Sequence, residues 1–152
     1  MKVFDDQTNG IKVGQRAENF RIDDTLWLSD LEGFPIFFVF WKSLWGRCQQ
    51  EAPVIEKEIW QRFKDKGLKV FAVGVKENAE EASTWSSQHQ LTYPVLTDPE
   101  GEIYKIYGNS SVPYHVIIDQ RFGIIHSQED FQKELLIGAI RDAFREPWAL
   151  PW

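Results

Sequence analysis

The residues able to do chemistry sit in one short stretch, Trp45-Gly46-Arg47-Cys48-Gln49-Gln50-Glu51. Cys48 is the single cysteine of the 152-residue chain, so no disulfide can close within it and any thiol chemistry runs through one sulfur. That sulfur attacks only as a thiolate, and two influences of opposite sign act on it. Cys48 falls in the first turn of an expected helix, where free amides and the macrodipole favour the anion. It also opens the apolar series Cys48, Ala52, Ile55, Ile59, Phe63, where burial favours the neutral thiol and a cysteine behaves as a small hydrophobe. Glu51, three residues on, lies on the same side of that helix. The histidines His89, His115 and His126 have no metal-ligand spacing among themselves, and one cysteine cannot build a structural zinc site. None of the ten glycines falls in a phosphate-cradling pattern, so no cofactor is expected.

The elements that must hold this stretch are legible on either side of it. Pro35 opens Ile36-Phe37-Phe38-Val39-Phe40-Trp41, a continuous apolar run that reads as a central strand covered on both faces. A helix follows over 47–66, bent at Pro53, which lacks the backbone donor, and closed by Gly67. Residues 68–75 form a second buried strand. Asn78-x-x-Glu81 starts a helix by a capping box, with Ala82 and Trp85 facing inward. Asp98, Pro99 and Gly108 read as N-cap, first helical residue and terminal glycine of a short helix. Residues 114–119 and 123–126 form two strands across a tight turn. Ser127-x-x-Asp130 opens a last helix with the stripe Phe131, Leu135, Leu136, Ala139, Phe144. Before the central strand, Phe20-Arg21-Ile22 and Leu26-Trp27-Leu28 read as a hairpin, and the first 17 residues as a loosely held arm. Strands alternating with helices give an α/β fold, a mixed sheet with helices on both faces.

Composition narrows the function classes. With 17 basic and 23 acidic residues the net charge is −6, and no dense Lys/Arg block appears, which disfavours a nucleic-acid or anionic-membrane partner. The apolar run at 34–41 is about a third of a membrane span. The polar, acidic start shows no export signal, so the chain reads as cytoplasmic or already trimmed.

The order of hairpin, buried strand, Phe40-Trp41, Cys48, Glu51, Pro53 and, much later, Val112-Pro113 before a buried strand resembles the thioredoxin fold. In detail it is similar to the TlpA/ResA-like thiol-disulfide oxidoreductases of the AhpC/TSA superfamily, which carry F-W-x-x-W-C-x-x-C-x-x-E-x-P. Tyr93-Pro94-Val95-Leu96-x-Asp98 and Ile117-Ile118-Asp119-x-x-Gly123 extend the resemblance over about 14–144. Laid on that motif, the attacking cysteine's position holds Trp45 and the tryptophan before it is Leu44. The resemblance implies a cis Val112-Pro113 bond facing the helix, and a peptide groove formed by Trp45, Gly46, Arg47, Val112 and Pro113. It also implies that Glu51 is partly buried and adjusts the Cys48 thiol; a solvated Glu51 that only complements the helix dipole is the alternative. Of the histidines, the fold brings only His115 near Cys48, where a satisfied core histidine is the plainer reading.

Dithiol exchange needs an attacking thiolate and a second, resolving thiol. With a W-G-R-C site that cycle is expected to be lost, leaving monothiol chemistry at Cys48, with Cys48 and Glu51 as the catalytic candidates and a protein or peptide thiol or disulfide as partner. Two other readings stay open: a non-catalytic peptide-binding module using the Trp45/Pro113 groove, and a one-cysteine peroxidase. The last is disfavoured because Trp41 and Trp45 stand where a peroxiredoxin has its proline and threonine. The expected organisation is an arm over 1–13, one thioredoxin-like domain over 14–146 and an apolar tail, Pro147-Trp148-Ala149-Leu150-Pro151-Trp152. Oligomeric state is not written in the sequence.

Overall fold

The computed structural model describes residue 8 and residues 10–145; the tail over 147–152 and most of the first nine residues lie outside the described residues. Strand β1 (Ile36–Trp41) is buried at every position, as a run without alternation requires. It pairs in parallel with β2 (Lys69–Val75) and antiparallel with β4 (Tyr114–Ile118). With β3 (Val95–Asp98) and β5 (Ile124–Gln128) it forms a five-stranded sheet of order β3-β2-β1-β4-β5. The period of two divides β1 between the two sheet faces. Phe38 and Phe40 meet Tyr107 on one side, whereas Phe37 stacks near His115, and Val39 and Trp41 line a cavity with Cys48 on the other.

One helical rod follows β1: α1 (Gly46–Val54), a π-helical stretch Ile55–Trp60, α2 (Gln61–Phe63) and a 3-10 turn Lys64–Lys66. Pro53 cannot donate to the preceding turn, and wider π turns begin two residues after it. The expected stripe from Cys48 to Phe63 is buried throughout, and Gly67 closes the rod in the left-handed region at φ 107°. Helix α3 (Ala79–Gln88) carries the expected capping box: Glu81 N–H donates to Asn78 Oδ1 and Asn78 N–H to Glu81 Oε1, both at 2.8 Å. No helix among the described residues is long and apolar enough to cross a membrane.

Three expectations need correction, and the expected hairpin is present but short. Asp98 ends β3 instead of serving as N-cap. Gly101 is the N-cap of α4 (Glu102–Tyr107), and the Asp98 carboxylate accepts the Ile103 and Tyr104 N–H groups at 3.1 and 2.8 Å. The last helix, α5 (Lys133–Ala143), starts six residues after Ser127, which lies in β5 and donates its Oγ–H to the Ile11 carbonyl. Its buried face is Leu136, Ile137, Ile140 and Ala143, with Leu135 55% exposed. The hairpin over 20–28 is present as Ile22 N–H to Leu26 O and Leu28 N–H to Phe20 O around one bridge, Arg21 to Trp27, and it stops because Leu28 enters the 3-10 turn Leu28–Leu31. Finally, residues 11–17 are not loose. Gly14 N–H and Ala17 N–H donate to Ile124 O and Phe122 O, and Ile124 N–H donates back to Gln15 O, which ties this segment along β5.

Candidate functional site

The loop after Trp41 is held by a buried carboxylate. Glu77 accepts the Ser43 N–H at 2.7 Å and lies 3.6 Å from Lys42 Nζ, which also donates to the Val75 carbonyl. Gln49 Nε2 donates to Ser43 O at 2.8 Å and closes the loop from the helix side. Trp45 is the N-cap of α1 in extended conformation, with no side-chain cap. Its ring packs on the core while remaining partly exposed, and the neighbouring Leu44 is 90% exposed. Arg47 points outward to Asp130 at 3.7 Å, an exposed pair of small energetic weight.

Cys48, in the first turn of α1, is 3% exposed. Burial pushes its thiol up to about 12, and the Glu51 carboxylate adds to that rise, against the lowering by a backbone hydrogen bond at Lys42 and by the Arg47 charge. The opposing influences read from the sequence thus resolve in favour of burial. Glu51 is also buried, and its Oε1 meets His115 Nε2 on β4 in a short hydrogen bond. His115 Nδ1 faces the Gln128 carbonyl at 3.2 Å. Both ring nitrogens face acceptors, which fixes the imidazole between α1 and β5.

Cys48, Glu51 and Pro113 line one cavity of about 10 Å³, roughly the room of a single water. Tyr93, whose hydroxyl donates to Ala52 O at 3.2 Å, forms part of its wall. Trp41 forms another part, stacked on Trp85 at 4.4 Å between centroids and 8° between planes. Trp41 Nε1 is buried without a hydrogen-bond partner among the described residues. Val112-Pro113 is cis, as expected. No hydrogen bond among the described residues engages the Val112 N–H or C=O, whereas the preceding Ser111 carbonyl accepts the Tyr104 hydroxyl. Trp45, Gly46, Arg47 and Val112 do not line the cavity; they lie at the helix N-terminus and before β4.

Two residues were not singled out as site members from the sequence. His115 was read as core, and its contact with Glu51 spans 64 positions, which no local spacing reveals. Leu44 carries the largest exposure of any large apolar side chain among the described residues, and only its place beside Trp45 signals it.

The profile described as the AhpC/TSA family matches residues 13–127. Thiol-disulfide oxidoreductase ResA from Bacillus thuringiensis is 30% identical over 114 residues, covering 72% of this chain and 65% of the relative, and ResA from Bacillus subtilis is 28% identical over 113. The chain therefore spans somewhat under two thirds of the length of these relatives. The solved structure of a candidate thiol:disulfide interchange protein DsbE from Chlorobium tepidum superposes with TM-score 0.79 at 25% identity, over 90% of this chain and all of that one. The thioredoxin domain of a thiol-disulfide oxidoreductase from Bacteroides vulgatus gives TM-score 0.71 at 18% identity, over 90% of this chain and 100% of that chain, a likeness of fold.

Proposed function

The chain belongs to the AhpC/TSA family, as a thioredoxin-like relative of the thiol-disulfide oxidoreductases, and from that premise we propose that it has left dithiol exchange and acts by binding extended peptide segments. The observation that carries this reading is the state of its one sulfur. At 3% exposure, with its thiol pushed up to about 12, Cys48 is neutral at physiological pH and closed to a protein disulfide. In this reading Trp45 stands where the attacking cysteine would be, and Cys48 keeps the buried, resolving position. Monothiol chemistry at Cys48 with help from Glu51 is the weaker reading, because Glu51 is engaged by His115 and adds to the rise of the thiol.

Support for binding comes from the surface around that position. Leu44 and Trp45 offer an exposed and a half-exposed apolar side chain at the start of α1, next to Gly46 and Arg47. The N–H and C=O of Val112, unengaged among the described residues, are the groups an extended segment pairs with, and apolar side chains beside them supply the contact area.

Insulin reduction with dithiothreitol tests the first half: no catalytic turnover is expected, and measurable turnover overturns it. For the second half, carboxymethylated insulin B chain, an extended peptide without free thiols, is titrated into labelled protein. Amide signals of Leu44 to Arg47 and of Val112 are expected to shift, and Trp45→Ala to weaken the binding about tenfold. Binding unchanged in Trp45→Ala overturns the peptide reading.

A further inference from the structure

The two edges of the sheet are treated differently. The outer side of β5 is occupied by the chain's own segment over 11–17, through the hydrogen bonds at Ile124 and Phe122. Among the described residues, no strand pairs with the outer side of β3. Ala72 N–H donates to Pro94 O at 3.0 Å and Lys76 N–H to Asp98 O at 2.8 Å, so residues 94, 96 and 98 face β2. The N–H and C=O of Val95 and Thr97 therefore turn to the open side, and no backbone hydrogen bond engages them there among the described residues. Proteins commonly blunt such an edge with a lysine, a proline or a covering loop; here Pro94 and Pro99 bound the strand and leave the stretch between them as the pairing surface. Val95-Leu96-Thr97 carries no charge, and all three side chains are partly exposed.

Beside this edge runs a groove of about 650 Å³. Ala79, Ala82, Ser83 and Ser86 line one wall from a single face of α3, and their small side chains leave room for those of an incoming strand. Asp23 and Asp24 form the rim. The Thr25 N–H bonded to Asp23 Oδ1 at 2.9 Å holds that carboxyl below its ordinary range, so it is charged at neutral pH. Arg21 directs its guanidinium to the Asp24 carbonyl and to the Trp27 ring.

We propose that the open edge of β3 is a docking site for an extended, basic segment of a partner protein, which joins the five-stranded sheet as an added strand with its Lys or Arg side chains against Asp23 and Asp24. Backbone pairing supplies the register, and the rim supplies the preference for positive charge. A second copy of this chain is a poor occupant, since pairing β3 with β3 about a two-fold axis brings the same acidic rims together. This groove shares only Tyr93 with the cavity at Cys48, so the proposal does not depend on the Trp45 face.

The test uses short synthetic peptides of alternating Lys and Val, the same peptides N-methylated on alternate amides, and a Glu/Val counterpart, each titrated into labelled protein. Amide signals of Val95 and Thr97 are expected to shift with the Lys/Val peptide and not with the other two. The double variant Asp23→Asn, Asp24→Asn is expected to weaken that binding about fivefold. Equal binding of the acidic peptide, shifts confined to other parts of the sheet, or β3-mediated dimerisation without peptide would overturn the proposal.

Discussion

Glu51 and His115, 64 positions apart, meet in a buried hydrogen bond that ties α1 to β4 directly behind Cys48. The contact exists because the β1–β4 register sets Val39 opposite His115, while α1 packs over the same face of β1. Phe37 and Phe131 flank the imidazole, at 6.3 and 5.5 Å between centroids. Two polar groups are thus enclosed in apolar surroundings, and among the described residues their hydrogen-bond partners are each other and the Gln128 carbonyl.

Such a pair costs most when half of it is removed, because the other half remains buried without a partner. His115→Ala is expected to lower stability by about 3 kcal/mol, and Glu51→Gln, which keeps an acceptor for Nε2, by about 1 kcal/mol. Urea unfolding of the two variants and of the Glu51→Gln, His115→Ala double variant measures the coupling. A His115→Ala chain as stable as the parent removes this account of the pair.

His126 predicts the acid limb of stability. Burial, reinforced by the nearby His115, brings its pKa down to about 4 from 6.5, and its Nε2 has no hydrogen-bond partner among the described residues. The unfolded chain takes up a proton near 6.5 that the folded ring refuses. The contribution is therefore complete above pH 6.5 and is lost as the pH falls toward 4. His126→Leu is expected to be neutral or slightly stabilising at pH 7 and to flatten the fall in Tm between pH 6.5 and 4. Parallel Tm profiles for the two proteins would show that the ring is not the responsible group.

Cys48 governs part of the alkaline limb, with the opposite sign. Its thiol is raised from 9.0 to about 12 on folding, so the contribution is complete below pH 9 and is lost as the pH rises toward 12. One thiol contributes a slope of at most about 1.4 kcal/mol per pH unit. Cys48→Ala is expected to unfold in urea with a shallower pH dependence between 9 and 10. Above that range the buried hydroxyls of Tyr93, Tyr104 and Tyr107, all raised by burial, keep both proteins pH-sensitive. Identical slopes below pH 10 would mean that the thiol titrates freely in the folded chain.

What the sequence revealed depends on how local each signal is. The unbroken apolar run of β1, the spacing from Cys48 to Phe63 and the Asn78/Glu81 box each fit within a few turns or one strand, and each names its element. β3 escaped because it has four residues, lies at an edge and is partly exposed, which leaves no periodic signature. Ser127-x-x-Asp130 matched a capping box and misled, since Ser127 Oγ is engaged by the Tyr114 hydroxyl and by Ile11 O across the sheet. The burial of Cys48 was legible from its stripe, but the partner of Glu51 depends on strand register and was not.

Gly74 links packing to the accessibility of the sulfur. A Cβ there would stand 2.7 Å from Trp41 Cζ2, so Gly74→Ala must displace the indole that stacks on Trp85 and lines the cavity at Cys48. Overpacking of this kind costs about 1–3 kcal/mol. Its specific consequence is that iodoacetamide reaches Cys48 faster in the folded state, because the displaced ring no longer closes that wall. The comparison is with a distant core variant of matched stability such as Ile140→Val, in which alkylation tracks global unfolding alone. If both variants are labelled at equal rates, Trp41 does not guard the thiol, and the protection of Cys48 comes from α1 and β4 alone.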